Sequence, residues 1–296
     1  MSSKRAHTPV LQAEVIEAFR GVHTPIFFDG TVGAGGHAAA LLAEHPEIER
    51  YLACDRDAHA HAEAKVRLEP YGKKVEFIRG SYSQLPRFLK ERKLTSIQGF
   101  LIDIGLSSMQ LDTPERGFSF RFEGPLDMRM DDTASMTAEE LVNRSSEREL
   151  ETMFREFGEE PRARQAAQAI VYARRKKKIL TTQDLCKALE STLKRRGKLH
   201  PATLVFQALR IAVNDELGEL SRGLDAAIDC LAPKGRLAVI AFHSLEDRIV
   251  KQRLRRASDE EQLRLIAKKP VMPNQKERRE NPRARSAKLR VAEKVG

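Results

Sequence analysis

Long apolar runs are missing from this 296-residue sequence. None approaches the roughly 18 residues that crossing a bilayer takes, so no membrane-spanning helix is expected. The opening MSSKRAHTPV lacks the apolar segment of a secretory signal, which makes a cytoplasmic location, with no membrane partner, the expectation. Cysteine is scarce as well. Cys54, Cys186 and Cys230 stand far apart, each inside an apolar segment, with neither CxxC spacing nor an even count; they read as reduced core residues, and no metal site or disulfide frame is expected. Internal repeats and low-complexity segments are lacking too.

Acid is short relative to base. The net charge is +10, and from Lys251 to Gly296 there are 15 Lys and Arg against 6 Asp and Glu. Nearly the whole excess therefore sits in the last stretch of chain, where it suits a polyanion. Two denser clusters, RRKKK at 174–178 and KRRGK at 194–198, add local positive charge. Any one of them reads equally well as a solvated helix face. The three together favour nucleic acid.

Strand-like runs alternate with helical spacing through the first third of the chain. PIFFD (25–29), YLACD (51–55), VEFIRG (75–80) and GFLIDI (99–104) are the strands, and segments such as Ala58, Ala62, Val66 separate them. Strict alternation predicts a parallel sheet with helices on both faces. From Gly105 to about Asp132 no period fits. Helical patterns follow: TAEE (137–140) and SERE (146–149) have the form of capping boxes, and Leu150, Met153, Phe154 and Phe157 keep the spacing of a buried stripe before Gly158. A fifth strand, RLAVIAF (236–242), returns after a further long helix. The expected organisation is a sheet domain split into 1–112 and 213–296, with a loop and all-helical insertion, 113–212, between them.

The stretch FFDGTVGAGGH (27–37) places a glycine-rich turn directly after the first strand and at the start of a helix. Side chains are excluded there so that backbone N–H groups can approach a ligand at the carboxyl edge of the sheet. GAGGHA fits the dinucleotide pattern, and Asp55, closing the second strand, can hold a ribose diol in a dinucleotide or an S-adenosylmethionine enzyme alike. Three features favour methyl transfer. The turn begins with an acid four residues before its Gly-x-Gly, as in amino-group methyltransferases; the fourth strand ends in an acid, LIDIG; and the basic tail calls for a polyanionic substrate.

The resemblance then becomes specific. HTPVL, DGTVGAGGH, DRD (55–57), DIGLSS-x-QLD (103–112), RGFSF-x-x-x-GPLDMRMD (116–131), HPAT-x-x-FQALRI-x-VN-x-EL (200–217), FHSLEDRIVK (242–251) and NPRARSAKLR (281–290) resemble, in order and across the whole chain, the bacterial ribosomal RNA small subunit methyltransferase H (MraW) family. The resemblance implies an α/β fold, a Rossmann-like S-adenosylmethionine-dependent methyltransferase sheet domain with an inserted all-helical domain. It implies N4-methylation of a cytidine in the decoding region of small-subunit 16S rRNA, with that rRNA, within the 30S particle, as partner. The alternatives are an amino methyltransferase acting on DNA or protein, and a non-catalytic rRNA-binding assembly factor. A homodimer is left open.

By the same resemblance Gly35, Gly36 and His37 hold the methionine part of the cofactor, Asp55 its ribose, Tyr82 its adenine, and Asp103 and Gln110 its amino-acid end or adenine. Tyr82 stands where relatives often have Phe. For catalysis the chemistry asks for acceptors on the cytosine amine, whose lone pair is delocalised into the ring. Amino methyltransferases usually supply them from an Asp/Asn-Pro-Pro-aromatic motif, and here that place reads Asp103-Ile104-Gly105-Leu106-Ser107-Ser108. Asp103 is the first candidate and Ser107 the second. His243, after the fifth strand, is placed to contact a base or its phosphate, although HSLED also reads as a helix start with Ser244 as cap and Asp247 three on. Of Phe118, Phe120 and Phe122, two are expected to pack.

Overall fold

A computed structural model describes residues 9–193 and 200–296. The basic cluster at 194–198 and the His7-Thr8 start of HTPVL lie outside the described residues. In chain order the elements are α1 (Gln12–Phe19), β1 (Ile26–Asp29), α2 (Gly36–Glu44), β2 (Arg50–Asp55), α3 (Ala58–Leu68), β3 (Val75–Arg79), α4 (Leu85–Glu91), β4 (Ile97–Asp103) and α5 (Ser108–Asp112). There follow α6 (Ala138–Arg144), α7 (Glu147–Glu156), α8 (Ala163–Lys176), α9 (Thr182–Glu190), α10 (Thr203–Asn214), α11 (Glu216–Cys230), β5 (Leu231–Ala241), α12 (Ser244–Asp259), β6 (Leu263–Leu265), α13 (Gln275–Glu280) and β7 (Lys288–Lys294). The chain forms two compact units: 1–105 with 217–296, and 106–216.

The first unit carries a seven-stranded sheet in the order β3-β2-β1-β4-β5-β7-β6. The strands β1 to β5 pair in parallel, whereas β7 runs antiparallel to both β5 and β6. Side chains alternate between its faces, as strand geometry requires. Phe28, Leu52, Cys54, Phe100 and Ile102 join the core formed with Leu220, Leu224 and Val250. Their strand neighbours Phe27, Tyr51, Ala53 and Leu101 join a second core with Val15, Leu41 and Ala64. Strand order reverses between β1 and β4, and in such sheets the crevice beyond the carboxyl ends at the reversal is the natural ligand position.

The second unit is helical, with one core of its own. The segments Thr137–Glu140 and Ser146–Glu149 form reciprocal capping boxes that start α6 and α7. Leu150 and Phe154 are buried, with Met153 and Phe157 packed beside them. Phe118 is buried, Phe120 stacks on His200 with ring centroids 4.6 Å apart, and Phe122 is 49% exposed. Two of the three aromatics pack and the third faces solvent.

The basic C-terminal stretch differs from a free polycation. Its last residues form β7, with Leu289 and Val291 buried. Lys288 Nζ and Arg290 Nε donate to the two oxygens of Asp247 at 2.8 and 2.7 Å. Arg236 and Arg264 are both paired with Glu293. Burial works to raise the Asp247 carboxyl, but hydrogen bonds from Arg290 and Lys288 outweigh it and hold the group below its ordinary range. Arg283 and Arg285 stand outside the strand. Composition counted the charges; it could not show that one acid, Asp247, pairs with both Lys288 and Arg290. Asp247→Ala strands Arg290, whose side chain is 11% exposed. It should cost about 1.5–3 kcal/mol, the range for a charge-assisted hydrogen bond, read as a fall in denaturation midpoint.

Candidate active site

The site is built from strand ends. After β1 the backbone turns through Gly33 at φ 50° and Gly35 at φ 77°, a left-handed conformation that L side chains rarely adopt. The turn is fixed from below. Gly30 N–H donates to Leu101 O at 2.8 Å, Val32 N–H to Cys54 O at 2.9 Å, and Gly33 N–H to Asp55 Oδ2 at 3.0 Å. Asp55 Oδ1 accepts from the Asp57 N–H at 2.9 Å. Each carboxylate oxygen keeps a lone pair beyond its backbone bond, enough for a diol. Burial pushes the Asp55 carboxyl up to about 6, against the backbone hydrogen bonds from Asp57 and Gly33.

Across the reversal, Thr31 Oγ1 accepts from the Asp103 N–H at 2.7 Å, which ties the glycine turn to the end of β4. His37 opens α2 and is 8% exposed, yet neither ring nitrogen makes a hydrogen bond. Its Nε2 lies 3.5 Å from Asp103 Oδ2, too long for a good bond. Asp103 Oδ1 is likewise buried without a partner. Buried polar atoms left this way are costly, and His37 and Asp103, 3.5 Å apart, bring three of them to the carboxyl end of the sheet.

Below them lies Asp29, 1% exposed. Its Oδ2 accepts from the Tyr51 hydroxyl at 2.8 Å and its Oδ1 from the Thr31 N–H at 3.1 Å. Burial pushes the Asp29 carboxyl up to about 7, against those two bonds.

Tyr82 follows β3 in a turn whose Ser81 and Gln84 form a capping box. The ring is 8% exposed and packs so closely on α11 that a Cβ at Gly223 would collide with its Cδ2. Glu219, one turn earlier on α11, accepts from Ser81 Oγ and, at 2.7 Å, from Ser83 Oγ, and pairs with Arg56 at 3.2 Å. The fold thus brings Gly35, Gly36, His37, Asp55, Tyr82 and Asp103 to one sheet edge. Thr31, Tyr51, Glu219 and Gly223 were not among the residues that the sequence singled out. Thr31 lies within the glycine turn, where its hydroxyl accepts from the Asp103 backbone N–H; the other three come from distant segments and left no signal.

Ser107 and Gln110 belong to the helical unit. They cap α5 reciprocally: Gln110 N–H donates to Ser107 Oγ at 3.2 Å and Ser107 N–H to Gln110 Oε1 at 3.0 Å. His243 is itself the cap of α12, one residue earlier than the Ser244 start that spacing suggested. Its Nδ1 accepts from the Glu246 N–H at 3.4 Å and its Nε2 lies 2.9 Å from Glu246 Oε1. Glu246, fully buried, also accepts from the Phe242 N–H at 2.8 Å. His243 Nδ1 thus serves as the helix cap, whereas Nε2, although close to Glu246 Oε1, is buried without a hydrogen bond.

The model of the MraW methylase family matches residues 4–295. The protein named ribosomal RNA small subunit methyltransferase H of Protochlamydia amoebophila is 49% identical over 307 residues, covering 98% of this chain and 97% of that protein. The protein of the same name from Persephonella marina is 44% identical over 292 residues, covering 98% and 99%. Among solved structures, a putative rRNA-methylase from Clostridium thermocellum aligns at a TM-score of 0.48 with 10% identity, covering 98% of this chain and 100% of that one.

Asp29 sets a test that needs no ligand. Its carboxyl moves from an unfolded value of about 3.9 to about 7 in the fold. Between these values the unfolded chain releases a proton that the folded chain keeps, so stability falls as pH climbs from about 4 to about 7 and then levels. Asp29→Asn removes that loss. Its melting temperature relative to the parent should rise steadily over this window and stay flat above it; a constant offset would show that Asp29 titrates normally.

Proposed function

The chain belongs to the MraW methylase family and is an S-adenosylmethionine-dependent methyltransferase, and from that premise we propose that it methylates the exocyclic N4 of a cytidine in the decoding region of bacterial small-subunit 16S rRNA. The relatives are named for small-subunit rRNA, and that substrate class is carried over with the family. The observation that carries the residue assignment is the unpartnered, buried Asp103 Oδ1 beside the unpartnered His37 ring.

The residues at the sheet edge suit this cofactor. Gly33 leaves its side open to it, Gly35 and Gly36 pack on Leu68, Ala64 and Pro9 and would offer it backbone only, His37 would meet its amino-acid end, Asp55 would accept from its ribose hydroxyls, and Tyr82 would offer an apolar ring to adenine. S-adenosylmethionine supplies a sulfonium-bound methyl group that is open to in-line displacement. Asp103 would accept an N–H of the cytosine amine, localising the nitrogen lone pair, stabilising the positive charge that develops as the N–C bond forms and the C–S bond breaks, and receiving the N4 proton while the thioether leaves. Positioning and a fixed acceptor are the two sources of acceleration. Ser107 is the second acceptor candidate, and the helical unit, with the loop before it, is assigned to substrate recognition within the 30S particle. A cytoplasmic location accords with such a substrate.

Incubating small subunits from a strain lacking the enzyme with labelled S-adenosylmethionine should label one cytidine as its N4-methyl derivative. Label on DNA or protein alone, or none despite rRNA binding, overturns the reading in favour of a different amino methyltransferase or an assembly factor. Asp103→Asn, which presents an amide donor where an acceptor is needed, should lower single-turnover methyl transfer by about 10²–10³ at saturating cofactor, with rRNA affinity retained. A parallel loss of cofactor affinity would assign Asp103 to the cofactor and Ser107→Ala to the next experiment.

Asp55→Ala should weaken cofactor binding by about ten- to hundredfold. Since the Asp55 carboxyl ionises at about 6, and the ionised form is the better acceptor, parent affinity should rise as pH climbs through that value. Calorimetry on the variant should show no such rise.

A further inference from the structure

We infer that the outer face of α8 is an RNA-holding surface of the helical unit, with Tyr172 as a platform for an unpaired base and Arg164, Arg175 and Lys176 as phosphate contacts. The inference rests on the rRNA reading above and extends it from a substrate class to a docking surface.

The inner face of α8 is apolar: Ala163, Ala166, Ala167, Ile170 and Val171 are buried in the core of the unit. Its outer face is uniform in charge. Between Glu160 and Asp184 the sequence holds no acid, while Arg162, Arg164 and the run Arg174–Lys178 supply base. Exposed Arg164, Gln168, Tyr172 and Lys176 follow one another at four-residue spacing, which on a helix makes a single stripe with a step of roughly 6 Å. Arg175 borders it. Three of the basic residues are committed elsewhere: Arg162 lies 3.7 Å from Glu160, Arg174 donates to Val142 O at 2.6 Å and Lys177 lies 3.9 Å from Asp184.

A single exposed aromatic is ordinary on a protein surface. Here the ring is 62% exposed in the middle of a basic stripe, and Lys176 Nζ sits 4.3 Å from its centroid. An aromatic face interleaved with cations is the arrangement that sequence-tolerant binding of single strands uses, with stacking on the ring and Coulomb attraction along the backbone. A duplex would not serve, because its bases are stacked on one another and its A-form major groove is closed to side chains. The occupant is therefore an unpaired rRNA segment.

The test uses the full chain with small subunits lacking the modification and with a single-stranded oligonucleotide. Tyr172→Ala should weaken oligonucleotide binding by roughly five- to 150-fold, as for loss of one base stack, and raise KM for the subunit. The single-turnover rate at saturating RNA, the cofactor affinity and the melting temperature should stay at parent values, and Tyr172→Phe should restore binding. The double variant Arg175→Gln with Lys176→Gln should flatten the salt dependence by about 0.7 in log–log slope for each phosphate that is no longer neutralised. Ultraviolet crosslinking should attach RNA to the peptide containing Tyr172. Parent-like binding by Tyr172→Ala, an unchanged slope and no crosslink there overturn the surface while the parent still methylates rRNA. Failure of the parent to methylate rRNA overturns the functional reading itself.

Discussion

One backbone hydrogen bond organises the sheet edge: Gly33 N–H to Asp55 Oδ2. It joins the turn after β1 to the end of β2, and it is made by the carboxylate proposed above for a ribose. The glycine turn and the acid of the second strand are therefore not two independent features. If Asp55 is lost, the turn loses a restraint together with the ligand's acceptor. On the other side the Thr31 hydroxyl holds the Asp103 N–H and so couples the same turn to β4. A loop that carries left-handed residues at Gly33 and Gly35 is locally expensive, and these two ties keep it in one conformation before any ligand arrives, which is what preorganisation requires.

That edge concentrates groups a folded chain would rather avoid. Asp29 and Asp55 are raised by burial, and Asp103 and His37 keep buried atoms without partners. The surrounding sheet offsets the cost. Phe27 stacks on Tyr51 at 5.2 Å, Phe28 on Phe100 at 5.7 Å, and the strands are buried on both faces. Unfavourable polar burial at the carboxyl ends and favourable apolar burial in the middle of the same strands are parts of one design, in which stability is given up where ligands bind.

Legibility followed sequence distance. The first five strands were readable because their apolar runs and bounding turns are local, and the caps of α6 and α7 because a Ser or Thr and a Glu three residues on form a closed motif. The contiguous glycine turn was readable as a motif, and the structure places it at the carboxyl end of β1. What failed was pairing over distance. Nothing near the basic tail in sequence shows that Asp247 will hold Lys288 and Arg290. The start of α12 was displaced by one residue because Ser is the commoner cap, whereas His243 here uses Glu246 to complete the box.

Tyr82 shows the same limit at the site itself. A mild departure from the usual phenylalanine invited attention to its hydroxyl, but the structure makes its backbone setting the stronger constraint. Ser81 and Ser83 on either side of the ring both donate to Glu219, and Gly223, four residues along α11, leaves room for the ring where any Cβ would collide with it. Since Glu219 and Gly223 are four apart, they share one face of α11, and that face meets the turn after β3. The setting of the Tyr82 ring is thus fixed by a helix far downstream in the chain. Its shape depends on two positions, one that must be acidic and one that must lack a side chain, neither of which resembles a binding motif when read along the chain.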